Sequence, residues 1–499
     1  PEDLILRDSF LNEISSYLDK IKQICEHLDL AIILGAPLKE KKQVRNAGIY
    51  IYKKKIKIVF KNNLPNYGVF DEKRVFTSGK KYDCINHKGL KIGLLICEDM
   101  WTKKLPVHLM KSGVNIFISI NASPYDCEKD LNRKNAAKII TKVTNTSLLY
   151  VNQVGGQDEL VFDGGSFFIN SEGKIINQLG YWQEQIKIIN ILDGSNYMKE
   201  NKQKDLDLVT SSETNTWNAL VIGLRDYVEK NAFKKVILGL SGGIDSALSA
   251  AIAVDALGSD RVIGLLMPSK YSSIDSIKDA KESASLLNIE TKTIKINKIQ
   301  DIYLNTLLKQ FNGDVKNITE ENLQSRIRGV LLMAYSNNFS YLLLSTGNKS
   351  EMSVGYSTIY GDMNGGFNAL KDIYKSQVYI LSKWRNTQIK LNLKGPKGKV
   401  IPDNSIKKEP SAELNFNQKD SDSLPPYLVL DKILYYFIEK ELSIDEIIKK
   451  GFKKKLVIKI RNLLLKSEYK RRQAPPGVKL SLKSFGKERR YPITNLFSN

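Results

Sequence analysis

A glycine-rich turn between an apolar run and an alanine-rich helical pattern is the stretch of this sequence best suited to chemistry. It reads LGLSGGIDSALS, from Leu238 to Ser249. The pattern predicts a strand, a turn and a helix whose first backbone N–H groups bind an anion, which the small glycines let approach closely. Asp245, in the first helical turn, would repel a bare phosphate. We therefore expect a Mg²⁺ between this carboxylate and the phosphates.

This turn lacks the G-x-x-x-x-G-K-[ST] pattern of a Walker P-loop. It matches SGGxDS and so resembles the pyrophosphate loop of ATP pyrophosphatases, which break ATP between its α and β phosphates and adenylate a substrate. The resemblance implies that the ATP phosphates are bound by Gly239, Leu240, Ser241, Gly242, Gly243, Ile244, Asp245 and Ser246.

Composition narrows the class of protein. The 499 residues are enough for two or more domains with substantial cores. The apolar runs fall short of the roughly 18 to 20 residues that a membrane span needs, so we expect no membrane partner. Four irregularly spaced cysteines do not make a disulfide scaffold, which indicates a reducing, cytoplasmic setting. The net charge of +22 comes from lysines spread along the chain, so we do not expect nucleic acid as a partner.

Short, nearly continuous apolar runs in the first part of the chain are typical of strands buried on both faces in a layered α/β fold. They lie at residues 30–35, 92–97, 114–120 and 148–152. The pattern is lost over residues 192–214, which predicts a linker. The predicted organisation is a first domain at 1–190, a linker at 191–215 and a second domain at 216–499.

The second part of the chain alternates apolar runs with helical patterns. These runs lie at residues 236–238, 262–267, 291–296 and 341–345. Such alternation predicts a doubly wound parallel sheet with its ligand at the carboxyl ends of the strands. Thr346 and Glu351 follow the last run, in the polar turn STGNKSE. Thr346 can hydrogen-bond adenine or ribose, and Glu351 can complete a Mg²⁺ site with Asp245.

Several longer strings follow the glycine loop in order. They are ENLQSRIRG (321–329), STGNKSE (345–351), YGDMNGGF (360–367), KEPSAEL (408–414), DSLPPY (422–427), EYKRRQAPPGVKLS (468–481) and FGKERRYPI (485–493). Together they resemble the NAD synthetase domain of glutamine-dependent NAD⁺ synthetases. The resemblance implies that ATP, with Mg²⁺, adenylates the nicotinate carboxylate of deamido-NAD⁺, and that ammonia then displaces AMP to give NAD⁺.

The same resemblance implies roles for single residues of the second domain. It implies ATP contacts at Thr346, Lys375 and Ser411. It implies deamido-NAD⁺ contacts at Asn322, Glu351 and Lys487. It assigns the Mg²⁺ to Asp245 and Glu351.

In the first domain, GLLICEDMW (93–101) places Cys97 at the end of a buried strand. A buried free cysteine is usually a small hydrophobe. However, the strings around it resemble the nitrilase-fold glutaminase of the same synthetases. They are FKNNLPNYGVFDEKRVF (60–76), SINASPYDCEK (119–129) and YVNQVGGQDELVFDGGSF (150–167). The resemblance implies an α-β-β-α sandwich and a Glu-Lys-Cys triad. It implies that Lys61 and Cys97 are catalytic and that glutamine is bound by Tyr67, Ser123 and Lys129.

The triad glutamate has no counterpart in this sequence. The chain begins with PEDLILRDSF, inside a segment that follows this glutamate in the family. Glu2 matches a later glutamate and is not its replacement. A trimmed or partial sequence is the most economical explanation, and we expect weak glutamine hydrolysis without the missing base.

Three alternatives stay open. The first is an ammonia-only NAD⁺ synthetase with an inactive amidase domain. The second is another pyrophosphate-loop enzyme, such as a GMP synthetase or a tRNA-modifying enzyme, although the Cys-His-Glu pattern of the usual GMP synthetase amidotransferase is absent. The third is a non-enzymatic assembly subunit, which predicts no ATP turnover. We expect the chain to form a homo-oligomer.

Overall fold

The computed structural model describes residues 2–192, 196–197, 211–311, 317–389 and 392–494. They divide into two compact units, formed by residues 1–154 with 162–209 and by residues 155–161 with 210–499. The predicted domain limits at 190 and 216 stay a proposal. Most of the predicted linker, 191–215, lies outside the described residues.

The first unit contains the helices α1 (Asp8–Glu26), α2 (Lys104–Met110) and α3 (Lys129–Thr144). The strands up to residue 197 are β1 (Ala31–Glu40), β2 (Gln43–Tyr52), β3 (Lys55–Phe60), β4 (Ile85–His87), β5 (Leu90–Ile96), β6 (Ile116–Asn121), β7 (Ser147–Asn152), β8 (Val154–Gln157), β9 (Leu160–Asp163), β10 (Phe167–Ile169), β11 (Ile175–Gln178), β12 (Ile191–Leu192) and β13 (Asn196–Tyr197).

Two sheets pack face to face in the first unit. One is the antiparallel sheet β1-β2-β3, and the other has the order β11-β10-β7-β6-β5-β4, with β5, β6 and β7 parallel. Apolar side chains such as Tyr50 and Ile92 fill the space between them. Gly48 permits the close approach, since a Cβ there would lie 2.5 Å from Leu94. Helix α1 covers the first sheet, and α2 and α3 cover the second, giving the predicted helix-sheet-sheet-helix layers.

The second unit contains the helices α4 (Ser212–Lys230), α5 (Ile244–Leu257), α6 (Ile274–Leu287), α7 (Asn297–Gln310), α8 (Asn317–Phe339), α9 (Lys349–Val354), α10 (Lys375–Asn386), α11 (Asp403–Lys407), α12 (Tyr427–Ile438), α13 (Ile444–Lys449), α14 (Lys454–Lys466) and α15 (Glu468–Arg471). Its sheet is formed by β14 (Val236–Gly239), β15 (Val262–Leu266), β16 (Glu290–Thr293), β17 (Leu342–Ser345) and β18 (Phe367–Asn368). In the part of the chain that the structure describes, no helix combines the length and apolar character needed to cross a membrane.

The sheet of the second unit is parallel throughout, in the order β16-β15-β14-β17-β18. This is the doubly wound arrangement that the sequence predicts. The strand order reverses between β14 and β17, which is where such sheets bind ligands at their carboxyl ends. The strand predicted at 291–296 ends earlier, at Thr293, because Ile296 already N-caps α7.

Candidate functional site

The glycine loop connects β14 to α5 in the second unit. Gly242 has a φ of 83°, in the left-handed region, and a Cβ at this position would lie 2.1 Å from the carbonyl oxygen of Ser276. Only glycine fits there without a backbone shift. Gly243 N-caps α5, and its carbonyl accepts a hydrogen bond from the Ser246 hydroxyl at 2.9 Å. The first N–H groups of α5 have no partners within the helix and suit a phosphate group.

A cavity of about 310 Å³ lies along this loop. The predicted ATP-site and metal-site residues that line it are Gly239, Leu240, Ser241, Gly243, Ile244, Asp245, Ser246, Thr346, Glu351, Lys375 and Ser411. Gly242, Asn322 and Lys487 are not among the lining residues. Asn322 accepts a hydrogen bond from the Thr358 hydroxyl at 2.9 Å, and the carbonyl of Lys487 accepts one from Arg490 at 2.8 Å.

Lys375, the first residue of α10, joins two carboxylates of this cavity. Its ammonium donates to Oδ2 of Asp245 and lies 3.3 Å from Oε1 of Glu351. Burial disfavours the charge on Lys375, but the two carboxylates outweigh this effect, so its pKa lies above the ordinary value. Burial raises the pKa of Glu351, and the charge of Lys375 opposes that rise. Two carboxylate oxygens thus converge on one positive charge beside the glycine loop.

In the first unit, Cys97 begins a short 3-10 helix directly after β5, with a φ of 48°. Burial raises the pKa of its thiol, and the Lys61 ammonium opposes that rise. The buried carboxylate of Asp99 accepts N–H groups from Asn63 at 2.8 Å and Ile96 at 3.3 Å. The carboxylate of Asp99 therefore hydrogen-bonds both the segment after Lys61 and the turn that contains Cys97.

Lys61 follows β3 and is only 1% exposed. Its ammonium donates to Oε1 of Glu72 at 2.6 Å. Oε2 of Glu72 is buried and has no hydrogen-bond partner among the described residues. Because a buried acceptor without a partner costs about 1–3 kcal/mol, this oxygen is suited to an N–H group of a bound substrate. The charge of Glu72 also acts on the Cys97 thiol.

The predicted glutamine-binding residues lie in the same unit. The Tyr67 hydroxyl donates to the carboxylate of Glu98, the neighbour of Cys97, at 3.0 Å. Lys129 begins α3, and its charge also opposes the rise in the pKa of Cys97 that burial causes. Ser123 is buried just after β6. The structure thus brings Tyr67 and Lys129 near the thiol.

Known proteins resemble both units of the chain. A carbon-nitrogen hydrolase family model matches residues 9–193, and an NAD synthase family model matches residues 216–474. A glutamine-dependent NAD(+) synthetase of Synechocystis is 44% identical, over 100% of this chain and 90% of the relative. One of Thermotoga maritima is 42% identical with the same coverage. The chain belongs to the family of glutamine-dependent NAD⁺ synthetases.

A solved structure supports the same conclusion. The glutamine-dependent NAD⁺ synthetase of Acinetobacter baumannii, 40% identical, superposes with a TM-score of 0.75 over 100% of this chain and 90% of its own. Membership of the family confirms the predicted fold class and the predicted enzyme class, a glutamine-hydrolysing NAD⁺ synthase. The roles of single residues stay predictions.

The residues of the second unit fit the Mg²⁺ expected for this family of synthetases. Carboxylate oxygens are the hard donors that Mg²⁺ prefers, and oxygens of Asp245 and Glu351 already face the Lys375 ammonium. Within the described residues, no group of three or more His, Cys, Asp or Glu side chains forms a metal cage. Mg²⁺ usually keeps several waters and takes one or two carboxylates together with substrate phosphates, so two carboxylates are sufficient.

Two residues of these sites were not predicted from the sequence. Glu72 lies within the string FDEKR, which carries no sign that it pairs with Lys61 eleven residues before it. Asn348 N-caps α9 in a capping box with Glu351. The spacing N-x-x-E in STGNKSE is a readable signal of that box. It does not show that the same asparagine also contacts Asp245.

Replacing Glu72 by glutamine should weaken glutamine use and spare ammonia use. Glu72→Gln keeps the size of the side chain but removes the charge that pairs with Lys61. We expect glutamine-supported NAD⁺ formation to fall about 10- to 100-fold, while ammonium-supported formation stays within about twofold. The neighbouring Asp71→Asn is the matched control, because Asp71 pairs with Arg74 at the surface. Equal losses with glutamine and with ammonium would contradict a role for Glu72 in the glutaminase.

Proposed function

We propose that this chain amidates deamido-NAD⁺ to NAD⁺ at the expense of ATP, with ammonia that its first unit releases from glutamine. One observation carries the proposal: Asp245 and Glu351 converge on Lys375 beside a glycine loop at the switch point of a parallel sheet. The Acinetobacter baumannii structure is a complex with adenosine diphosphate, which supports an adenine nucleotide as the ligand of the cavity.

Adenylation comes first. A carboxylate oxygen of deamido-NAD⁺ attacks the α phosphorus of ATP. The bond between the α phosphorus and the bridging oxygen breaks, and pyrophosphate leaves with the bonding electrons. The glycine loop, residues 239–246, binds the phosphates through backbone N–H groups, and Lys375 supplies positive charge where negative charge develops. Thr346 and Ser411 orient the nucleotide. A Mg²⁺ held by Asp245 and Glu351 would neutralise phosphate charge.

Amide formation comes second. The carboxylate of deamido-NAD⁺ is a poor electrophile until AMP becomes its leaving group. The lone pair of ammonia then attacks the acyl carbon, AMP departs with the electrons of the broken bond, and the nitrogen loses one proton to give the amide. Asn322, Glu351 and Lys487 are proposed to bind deamido-NAD⁺.

The first unit supplies the ammonia. The Cys97 sulfur attacks the amide carbon of glutamine, the carbon–nitrogen bond breaks, and the departing ammonia takes the thiol proton. Water then hydrolyses the thioester to glutamate and restores the thiol. Lys61 stabilises the oxyanion. Tyr67, Ser123 and Lys129 are proposed to bind glutamine.

The proposal is tested by measuring NAD⁺ formation from deamido-NAD⁺, ATP and Mg²⁺, with ammonium and with glutamine in parallel. We expect NAD⁺, AMP and pyrophosphate in equal amounts with ammonium, and slower NAD⁺ formation with glutamine, because the Glu-Lys-Cys triad has only its lysine and cysteine in this sequence. Product with ammonium alone would fit a glutaminase that lacks its triad glutamate and also an ammonia-only synthetase with an inactive amidase domain. Glutamine use regained by a version of the chain that carries this glutamate would favour the first of the two. No product from folded protein would overturn the assignment, and retention on an RNA column with steep salt dependence would then favour a tRNA-modifying enzyme.

The cellular compartment and the oligomeric state of the chain are also proposals. None of the four cysteines, all of which lie in the described residues, is in a disulfide, which supports a reducing, cytoplasmic compartment. A homo-oligomer stays a prediction, and light scattering of the purified chain measures it directly.

A further inference from the structure

Asn348 makes hydrogen bonds to both carboxylates of the cavity. It is fully buried between the glycine loop and α9. Its side-chain Nδ2 donates to Oδ1 of Asp245 at 2.9 Å, and its backbone N–H donates to Oε2 of Glu351 at 3.4 Å. Its Oδ1 accepts the backbone N–H of Glu351 at 3.0 Å. One residue therefore contacts two acids that lie far apart in the sequence.

The oxygens that Asn348 contacts are not the ones that face the cation. Lys375 donates to Oδ2 of Asp245 and to Oε1 of Glu351. Each carboxylate thus has one oxygen held by Asn348 and one oxygen directed at a positive charge. This division fixes the rotation of both carboxylate groups and leaves one oxygen of each for a cation.

We propose that Asn348 is a positioning residue that orients Asp245 and Glu351 toward the divalent cation of the adenylation step. The inference rests on the proposed metal site. It adds a residue that fixes the orientation of the two carboxylate groups. Residues behind metal ligands commonly set ligand orientation, and their loss typically costs about 10- to 100-fold in metal affinity or activity.

Capping of α9 alone does not require asparagine. Serine and aspartate are about equally good N-caps, because each offers an oxygen to the first helical turn. Only an amide offers both that oxygen and an N–H group for Asp245. Serine at position 348 would keep the cap, but its single, shorter hydroxyl would replace the two separate atoms that contact Glu351 and Asp245. Aspartate would bring a second negative charge against Asp245. The two functions of Asn348 can therefore be separated by substitution.

The test compares Asn348→Ser and Asn348→Asp with the wild-type chain. Mn²⁺ is the probe, and its binding is measured by electron paramagnetic resonance in the presence of a non-hydrolysable ATP analogue. We expect Asn348→Ser to bind Mn²⁺ about 10- to 100-fold more weakly, with a thermal midpoint close to that of the wild type. Asn348→Asp should have a lower thermal midpoint, because its buried carboxylate lies against that of Asp245. Ser443→Ala is the matched control, because Ser443 caps another six-residue helix, α13, away from the cavity. It should leave Mn²⁺ affinity unchanged.

Kinetics give a second readout that a purely structural role would not move. In ammonium-supported synthesis, the KM for Mg²⁺ of Asn348→Ser should rise about 10-fold or more, while kcat at saturating Mg²⁺ recovers to within a fewfold of the wild type. An equal fall in kcat at every Mg²⁺ concentration would overturn the inference. So would unchanged Mn²⁺ affinity in Asn348→Ser.

Asp245→Ala separates failure of this inference from failure of the metal site. If Asp245→Ala weakens Mn²⁺ binding and Asn348→Ser does not, the positioning role is wrong and the metal site stands. If Asp245→Ala binds Mn²⁺ as tightly as the wild type, the assignment of the metal site is wrong, and the positioning role of Asn348 is then also wrong.

Discussion

Asp245→Ala is expected to abolish NAD⁺ formation with ammonium and with glutamine alike, by about 1,000-fold or more. The reason is that Asp245 lies in the first turn of α5, where the phosphates of ATP are bound, and shares Lys375 with Glu351. Without it, the proposed cation loses one of two carboxylate ligands, and adenylation fails before any ammonia is used. Production of AMP and NAD⁺ should fall together.

The variant should still fold. Lys375 keeps Glu351 at 3.3 Å after Asp245 is removed, so its buried ammonium is not left without a counter-charge. Asp260→Ala, an exposed acid in the same unit, is the control for loss of one negative charge. Full ammonium-supported activity in Asp245→Ala would show that the Mg²⁺ assignment is wrong. A loss with glutamine alone would place Asp245 outside the adenylation step.

The parts of the fold that the sequence predicts are those set by short-range patterns. The apolar run before Gly239 and the alanine-rich run after Gly243 together predict a strand, a turn and a helix, and the structure has all three. Thr346 and Glu351 follow β17, whose carboxyl end lies next to that of β14. Because parallel strands bring their carboxyl ends to one edge, the sequence also predicts that these residues meet.

The parts that escape prediction depend on contacts between distant segments. Lys375 is 130 residues from Asp245, and nothing in either local string shows that their side chains pair. Asn348 is readable as a cap, but its second contact crosses 103 residues. Lys487 was expected at the dinucleotide from the family resemblance, and this stays a prediction; Lys487 is not among the residues that line the cavity at the glycine loop.

Both units contain a buried ion pair between a lysine and a carboxylate. In each, a buried lysine is paired with a carboxylate that also lies beside a reactive position: Lys61 with Glu72, and Lys375 with Asp245. A buried ammonium is costly unless it is paired, and each of these two lysines has a carboxylate partner within salt-bridge distance. A fixed positive charge is what both an oxyanion and a transferring phosphate need.

Cys97→Ala is expected to separate the two activities. It removes the thiol at the end of β5, so no thioester can form, and glutamine-supported NAD⁺ formation should fall by about 1,000-fold or more. Ammonium-supported formation should stay within about twofold, because the second unit keeps every residue of its cavity. The two rates are measured side by side on one preparation of each variant.

Labelling identifies the nucleophile independently of turnover. A diazoketone analogue of glutamine should add one equivalent to the wild-type chain and none to Cys97→Ala, as read by intact mass. Cys127→Ser is the matched control, because Cys127 is an exposed thiol in the same unit and should not affect labelling. Labelling of Cys97→Ala to the wild-type extent would mean that another group is the nucleophile. A parallel loss of ammonium-supported activity would mean that the substitution disturbs the whole chain, because Cys97 has no part in adenylation.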